Sequence, residues 1–482
     1  MRSTRSPRRA RWSGTLRAMA VALLLQACGG DQEAPGVNGG AGGGTGDSTA
    51  AVAFRNSVTG VSTGWQGDTF QLSHAYPDTF AACTLLTCPW LSVPVDTGSA
   101  NWPRWSLYLD AVLAYLVQGQ STTLADTAGW RTTVNGRTRW FHVPWMAYDP
   151  VHGREFIHGT TNERTATPSA FRATSEVMAV TGMLNLAVGR NPLPGTVDTA
   201  SADTLFETWS VGMYNEPGGY AIGKAVPASG IPQAGPGNAL PVRFPQGTLV
   251  VKLLFTSATA ADVPYLAGAP QWTVDRHVQL PNGQFDSIQR SPQPVNLVQM
   301  DVAVRDDRSP IGWVYGTYAY NGRLRGANWW QRLSPVGVQW GSDPLTWPAV
   351  DSAQSRPLTQ SAINTAIGIP QHLGCANRLA GPVDNPLSSC TSCHGGAYAP
   401  APVGTQSTAT NSIPIFGYTT QCQTVSPQNA AYFSNVAYPG AYPAWPGVSG
   451  PSINLDTSLQ LQVAYVQYAN FLGSGASQPA KR

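Results

Sequence analysis

The chain has 482 residues, of which only 11% are charged, against the ~25% usual for a soluble domain, while glycine (50) and proline (39) are abundant. This argues against a charge-rich helical protein of the cytosol, and 16 tryptophans with 42% hydrophobic residues argue against a disordered chain. The formal charge of +3 is no nucleic-acid signal: six arginines and no acids fall in the first 27 residues, so the remainder has 23 basic against 26 acidic residues, a net charge of −3.

Residues 1–27 read as a signal peptide, with Arg2, Arg5, Arg8, Arg9, Arg11 and Arg17 ahead of the apolar run Ala18 to Leu25, which is too short to span a bilayer. Leu25-Gln26-Ala27-Cys28 resembles the lipobox of bacterial lipoproteins, in which the cysteine is lipidated; the alternative is an ordinary cleaved signal with Cys28 incidental. Residues 28–50 are a Gly-rich tether able to span roughly 25 Å. The expected location is therefore the bacterial cell envelope, with the membrane as a partner through the lipid. Gly29 in place of aspartate after the cysteine resembles the outer-membrane sorting signal.

Residues 51–204 form a mixed, loop-rich region. Trp105 to Leu116 is apolar around most of a helical wheel and predicts a buried helix, and a second helix is predicted from Pro168 to about Val188, with Met178 and Met183 among its apolar positions. Between them, Phe141 to Arg164 gathers His142, His152 and His158 with Arg154, Glu155, Glu163 and Arg164. The spacing matches no standard metal motif, and a hydrogen-bonded loop is the simpler reading.

Residues 205–482 turn to strand patterns separated by Gly and Pro: Val242 to Thr256, Val295 to Asp307 and Gly312 to Gly322. Antiparallel sheet is the economical reading, so the expected fold class is α+β, a β-rich domain with flanking helices. Asp456-Thr457-Ser458-Leu459 to Leu472, followed by Gly473, has an N-cap candidate, mixed apolar spacing and a glycine stop, and predicts a docking helix at the C-terminal end.

Chemistry concentrates in Cys390-Thr391-Ser392-Cys393-His394, a C-x-x-C-H motif. Two thiols at this spacing can add to the two vinyl groups of one haem, with the adjoining imidazole as axial iron ligand. The cofactor expected is one covalent c-type haem, held by Cys390, Cys393 and His394. A thioredoxin-like redox pair and half of a zinc site are the competing readings; they want a strand-to-helix context and a second ligand pair. Haem attachment occurs outside the cytoplasm, in agreement with an export signal. With Cys28 assigned to lipid, Cys83, Cys88, Cys375 and Cys422 remain, and an oxidising compartment allows three pairings or free thiols. Cys83 with Cys88 is favoured as a local loop, and Cys375 with Cys422 as a clasp around the motif contributing about 3–4 kcal/mol.

In order, Phe244-Pro245-Gln246-Gly247-Thr248, Val250-Val251-Lys252, Val302 to Asp307, Gly312-Trp313 and Cys390 to His394 resemble the sheet-based mono-haem cytochromes. That family includes hydroxylamine-oxidising enzymes with a lysine-cross-linked haem and nitric-oxide-binding β-sheet relatives of cytochrome c-prime. The resemblance implies a late haem motif and an iron face left open. It makes Lys252 the nearest candidate for a cross-linking lysine, the alternative being a solvated strand lysine, and places Arg305 either facing the haem or bracing a turn with Asp306 and Asp307. The chain departs from the pattern in its extra N-terminal region and in the 88 residues that follow His394.

Neither Met nor His follows His394, so a sixth ligand must come from upstream, from His142, His152, His158, His277, His372 or Met300, or be water or absent. An open face suits hydroxylamine, nitric oxide, peroxide or oxygen, whereas a closed one suits electron transfer to a protein partner. The expectation is an exported, membrane-anchored mono-haem cytochrome with redox or small-ligand chemistry. The alternatives are a six-coordinate electron carrier and a structural lipoprotein with an accessory haem. No nucleic-acid partner is expected.

Overall fold

Alternating burial along Leu249-Val250-Val251-Lys252-Leu253, with the odd positions buried and Val250 and Lys252 half-buried, marks a strand whose two faces meet different surroundings. The computed structural model describes residues 70, 72–120, 130, 133–134, 136–144, 156–157, 160–166, 206–279, 285–344, 357–384, 388–399, 433–440 and 453–473. The helix predicted over 168–188, the signal and tether residues, Cys28, His152, His158 and Cys422 lie outside them.

Helix α1 spans Trp102–Val117, with Asn101 as its cap accepting from Arg104 N. A two-stranded hairpin, β1 (Thr133–Val134) and β2 (Arg137–Thr138), follows. The main sheet is built from β3 (Phe156–Ile157), β4 (Thr160–Ala166), β5 (Phe206–Tyr214), β6 (Leu249–Thr256), β7 (Gln271–Gln279), β8 (Phe285–Arg305), β9 (Trp313–Tyr320), β10 (Leu333–Gln339) and β11 (Ser361–Ile363). Its order is β11-β10-β9-β8-β6-β5-β4-β3, with β7 paired to the first half of β8, and every pairing is antiparallel. Helix α2 (Glu216–Ala225) follows β5 directly. The short helix α3 (Cys390–His394), the pair β12 (Tyr398–Ala399) and β13 (Ile453–Asn454), and helix α4 (Leu459–Gly473) complete the described elements. The α+β, sheet-dominated class expected from the sequence is the observed one.

β3 and β4 extend the same sheet as β5, so the sheet runs across the boundary expected at 204/205. α1 also packs on this sheet. Trp105, Tyr108, Leu109, Val112 and Leu116, at helical spacing, join Val251, Leu253, Met300, Val302, Val304 and Tyr318 in the larger core. A Cβ on Gly316 of β9 would lie 2.5 Å from Leu109 Cδ2, so the missing side chain lets α1 approach the sheet. Trp105 stacks on Trp340 at 4.0 Å.

The opposite sheet face carries a second cluster, in which Tyr214, Trp313 and Tyr315 meet Cys393 and the α4 residues Leu459, Leu461 and Ala464. The strand predicted from Val242 begins later than its apolar pattern, whereas the one predicted from Val295 begins earlier, at Phe285. Val242 to Thr248 is a turn, and only Leu249–Thr256 is strand, because Gly247 with φ +85° reverses the chain. The C-terminal helix begins at Leu459 rather than Asp456. Asp456 and Thr457 have φ of +47° and +65°, and Ser458 Oγ accepts from Leu461 N at 3.2 Å as the cap.

Candidate functional site

Ser389 starts α3. Its carbonyl accepts from Cys393 N at 3.0 Å, and its Oγ accepts from Ser392 N. Spacing of i, i+3 puts Cys390 and Cys393 on one helix face, with His394 one position further. Both cysteines are thiols outside any disulfide. Residues between the thiols tie the turn to the end of β10: Thr391 N donates to Gln339 Oε1 (3.2 Å), and Thr391 Oγ1 donates to the Gly341 carbonyl (3.1 Å). The Gln339 amide in turn donates to Ser389 Oγ (3.3 Å).

His394 is oriented from the other side of the cleft. The Thr457 carbonyl lies 2.9 Å from His394 Nδ1, which assigns the proton to Nδ1 and leaves Nε2 as the lone-pair nitrogen. The left-handed backbone at Asp456 and Thr457 presents that carbonyl. It is anchored by Asp456, whose carboxylate accepts from Trp313 Nε1 and Phe244 N, both at 3.1 Å. Tyr315 packs against the imidazole at 4.8 Å between centroids and donates to Thr457 Oγ1 at 2.7 Å. Burial, with a further contribution from Lys252, holds the His394 pKa down at about 4, although the Thr457 carbonyl acts the other way. The neutral imidazole is the form that binds iron.

A mostly apolar cleft, open to solvent at its mouth, lies between the motif, the sheet and the start of α4. Cys390, His394, Tyr214, Tyr315 and Thr457 line it, and so do Lys252, Asp301 and Asp384. Antiparallel register sets Gly212, Lys252, Asp301 and Thr317 side by side across β5, β6, β8 and β9, on the cleft face. Gln460 from α4 lies over Gly212, where a Cβ would meet its amide. Asp301 accepts from Thr317 Oγ1 and from Gln299 Nε2, each at 2.8 Å, and the same amide nitrogen reaches Asp384 Oδ2 at 2.8 Å. Burial, and next the charge of Asp384, push the Asp301 carboxyl up to about 7.

The structure thus gathers Cys390, Cys393, His394 and Lys252, which the sequence named separately. Arg305 has the bracing position: its guanidinium donates to the Gly312 carbonyl and to Asp307 Oδ1, both at 2.5 Å. Asp306 instead pairs with Arg308 (2.7 Å) and accepts from Tyr108 Oη (3.0 Å). The motifs behind the family resemblance meet at this end of the sheet. Gly247 N donates to the Arg305 carbonyl (3.0 Å), Arg305 N to the Thr248 carbonyl (2.8 Å), and Phe244 stands edge-on to Trp313 at 5.6 Å.

No family model, curated protein or solved structure matches the chain. Met300 projects into the larger core on the other face of the sheet, so it cannot be the sixth ligand. His372 is buried beside Tyr265 (3.3 Å) and His142 beside His74, neither in the cleft. Among the described residues lining the cleft, His394 is the sole imidazole and none is a methionine. Cys83 and Cys88 are disulfide-bonded as expected; Cys375 is also disulfide-bonded, its expected partner Cys422 lying outside the described residues.

These residues fit a covalently held haem. Two thiols share one helix face, Cys390 lining the apolar cleft and Cys393 buried in the apolar cluster beside it, and the adjoining imidazole has its Nδ1 engaged and its Nε2 carrying the lone pair. Among the described residues, no three His, Cys, Asp or Glu side chains group to hold a metal ion directly, as the zinc reading would need.

Sequence reasoning missed Asp301, Asp384, Gln460 and the Thr457 carbonyl. Asp301 had a signal: it is the one charged residue in an otherwise uncharged strand run, Pro294 to Val304, at the alternate positions shared with Ala303 and Arg305.

Proposed function

We propose that this protein is an exported, lipid-anchored mono-haem c-type cytochrome. Its iron keeps one face accessible to a small ligand of the hydroxylamine, nitric oxide, peroxide or oxygen kind. The observation that carries this reading is the His394 hydrogen bond to the Thr457 carbonyl, which sets the imidazole tautomer beside two thiols on one helical turn. The lipid anchor at Cys28 rests on the sequence pattern alone; among the described residues no helix is long and apolar enough to cross a membrane.

When bound, haem supplies an iron centre that exchanges one electron and takes small ligands. The chain's own part is division of labour around the cleft. Cys390 and Cys393 hold the cofactor, and Thr457 and Tyr315 fix the plane of the His394 ring. Lys252 puts an ammonium on the wall, and Asp301 and Asp384 supply carboxyl groups at the same wall. Trp313, Tyr214 and Leu459 keep the surroundings apolar, which strengthens these interactions.

The test is an absorption and electron paramagnetic resonance spectrum of the full chain made in a host with haem-attachment machinery, before and after hydroxylamine or nitric oxide. A high-spin ferric signal that changes on addition is expected. A red-shifted Soret band would assign Lys252 a covalent bond to the cofactor. A low-spin, unresponsive spectrum would make the protein an electron carrier, and absence of haem would overturn the assignment altogether.

A further inference from the structure

The Asp301, Gln299 and Asp384 side chains form a linked group that holding a haem does not require. Gln299 Nε2 sits 2.8 Å from both oxygens of Asp301 and 2.8 Å from Asp384 Oδ2, so one amide nitrogen serves two carboxyl groups. Gln299 is itself oriented, its Oε1 accepting from Val383 N at 3.1 Å. Thr317 Oγ1 (2.8 Å) and Gly381 N (2.8 Å) complete the donors. Gln299 and Thr317 are fully buried, Asp384 is 5% exposed, and Asp301 is partly open to the cleft. Among the described lining residues the charged groups are one ammonium, Lys252, and these two carboxyl groups.

Burial and the Asp384 carboxylate beside it disfavour the charged form of Asp301, and Lys252 acts the other way. The other titratable groups around the cleft are His394 from α3, Tyr315 from β9 and Tyr214 from β5, together with the Cys390 thiol of α3, which would be a thioether without a proton to give once it held the cofactor; α4 contributes Ser458 and Gln460, which do not titrate. Burial keeps His394 neutral and raises both tyrosines out of the physiological range, so none of the three competes for a proton near neutrality.

We propose that Asp301 and Asp384, joined through the Gln299 amide, take up one proton when the cofactor held by His394 gains one electron, and release it on oxidation. This rests on the haem reading above and adds a function to the opposite wall of the same cleft. The electron comes from a one-electron donor and the proton from bulk water through the cleft mouth. The cofactor gains one negative charge and the carboxyl pair loses one, so the charge of the cleft is unchanged. The rise of the Asp301 carboxyl to about 7 places the exchange at physiological pH.

The experiment is a spectroelectrochemical titration of the haem-loaded full chain, repeated from about pH 5 to about pH 9, on wild type, Asp301→Asn and Asp384→Asn. It is paired with indicator-dye measurement of proton uptake by the wild type on reduction. The expected midpoint falls with pH by up to about 59 mV per unit, the value of a tenfold proton change at one proton per electron. The slope flattens in each Asn variant, and the wild type takes up about one proton per electron. A haem-loaded wild type with no slope and no uptake overturns the proposal while leaving the haem reading intact. So does a slope that persists in the variants, which would assign the proton elsewhere, for example to the haem's own carboxylates. If one variant fails to fold, the other and the wild-type uptake decide. A preparation without a haem band overturns the site reading and this proposal with it.

Discussion

At the scale of residues, the site sets two groups against their ordinary chemistry, and the causes are separable. His394 is kept neutral by burial, while Asp301 is kept protonated toward neutral pH by burial and by Asp384. For Asp301 the folded pKa lies above the unfolded one. The stabilisation it gives is therefore present below the unfolded value near 4 and is lost as pH rises through about 7. Asp301→Asn does not titrate and keeps both donors within reach, so it should gain on wild type as pH rises. The expected gain is on the order of 2 kcal/mol above pH 7, about half of the full conversion because solvent reaches part of the carboxyl, and it shrinks toward zero near pH 4. Urea unfolding at several pH values checks this, and a constant difference across the range would refute it. Of the residues in the site, Cys390, Cys393 and His394 were legible because their chemistry depends on spacing along the chain. The Thr457 carbonyl was not, because a backbone acceptor leaves no mark in the sequence and comes from 63 residues away.

At the scale of elements, local pattern and tertiary fit agree for α1 and part company for α4. α1 was readable because Trp105, Tyr108, Leu109, Val112 and Leu116 repeat at helical spacing, and all five are buried. What could not be read is that it settles on Gly316 of β9. Gly316→Val should press on Leu109 and cost about 1–3 kcal/mol, and Leu109→Ala about 2–5 kcal/mol. The double variant should cost less than the sum, because the truncated leucine makes room for the new side chain. Strict additivity in denaturant titrations would mean that the two positions do not share the contact. α4 begins three residues after its predicted start because Asp456 spends its carboxylate on Trp313 and Phe244, not on the helix. Ser458 takes over the cap, and the displaced turn becomes the support for His394.

At the scale of the molecule, one antiparallel sheet separates two apolar clusters, with the large core under α1 and the smaller one around α3 and α4. The motif helix is held by Ser389, Thr391 and Gln339, none of which touches the thiol chemistry. Cys390→Ser with Cys393→Ser should therefore leave a folded protein, with circular dichroism unchanged and covalent haem absent after denaturation. Loss of folding in the double variant would make the cofactor a structural requirement and favour an accessory role for it. The sequence by itself determined the strand-rich class, the C-x-x-C-H spacing of Cys390, Cys393 and His394 and the local Cys83–Cys88 pairing, since each depends on neighbours within a few positions along the chain. Tertiary structure alone decided that Lys252, Asp301 and Gly212 share one row, that Met300 faces away from the cleft and that Arg305 braces a turn. Those outcomes depend on strand register and on which sheet face each helix covers. A one-residue slip would send every one of these side chains to the other side, and no local pattern records which strand becomes whose neighbour.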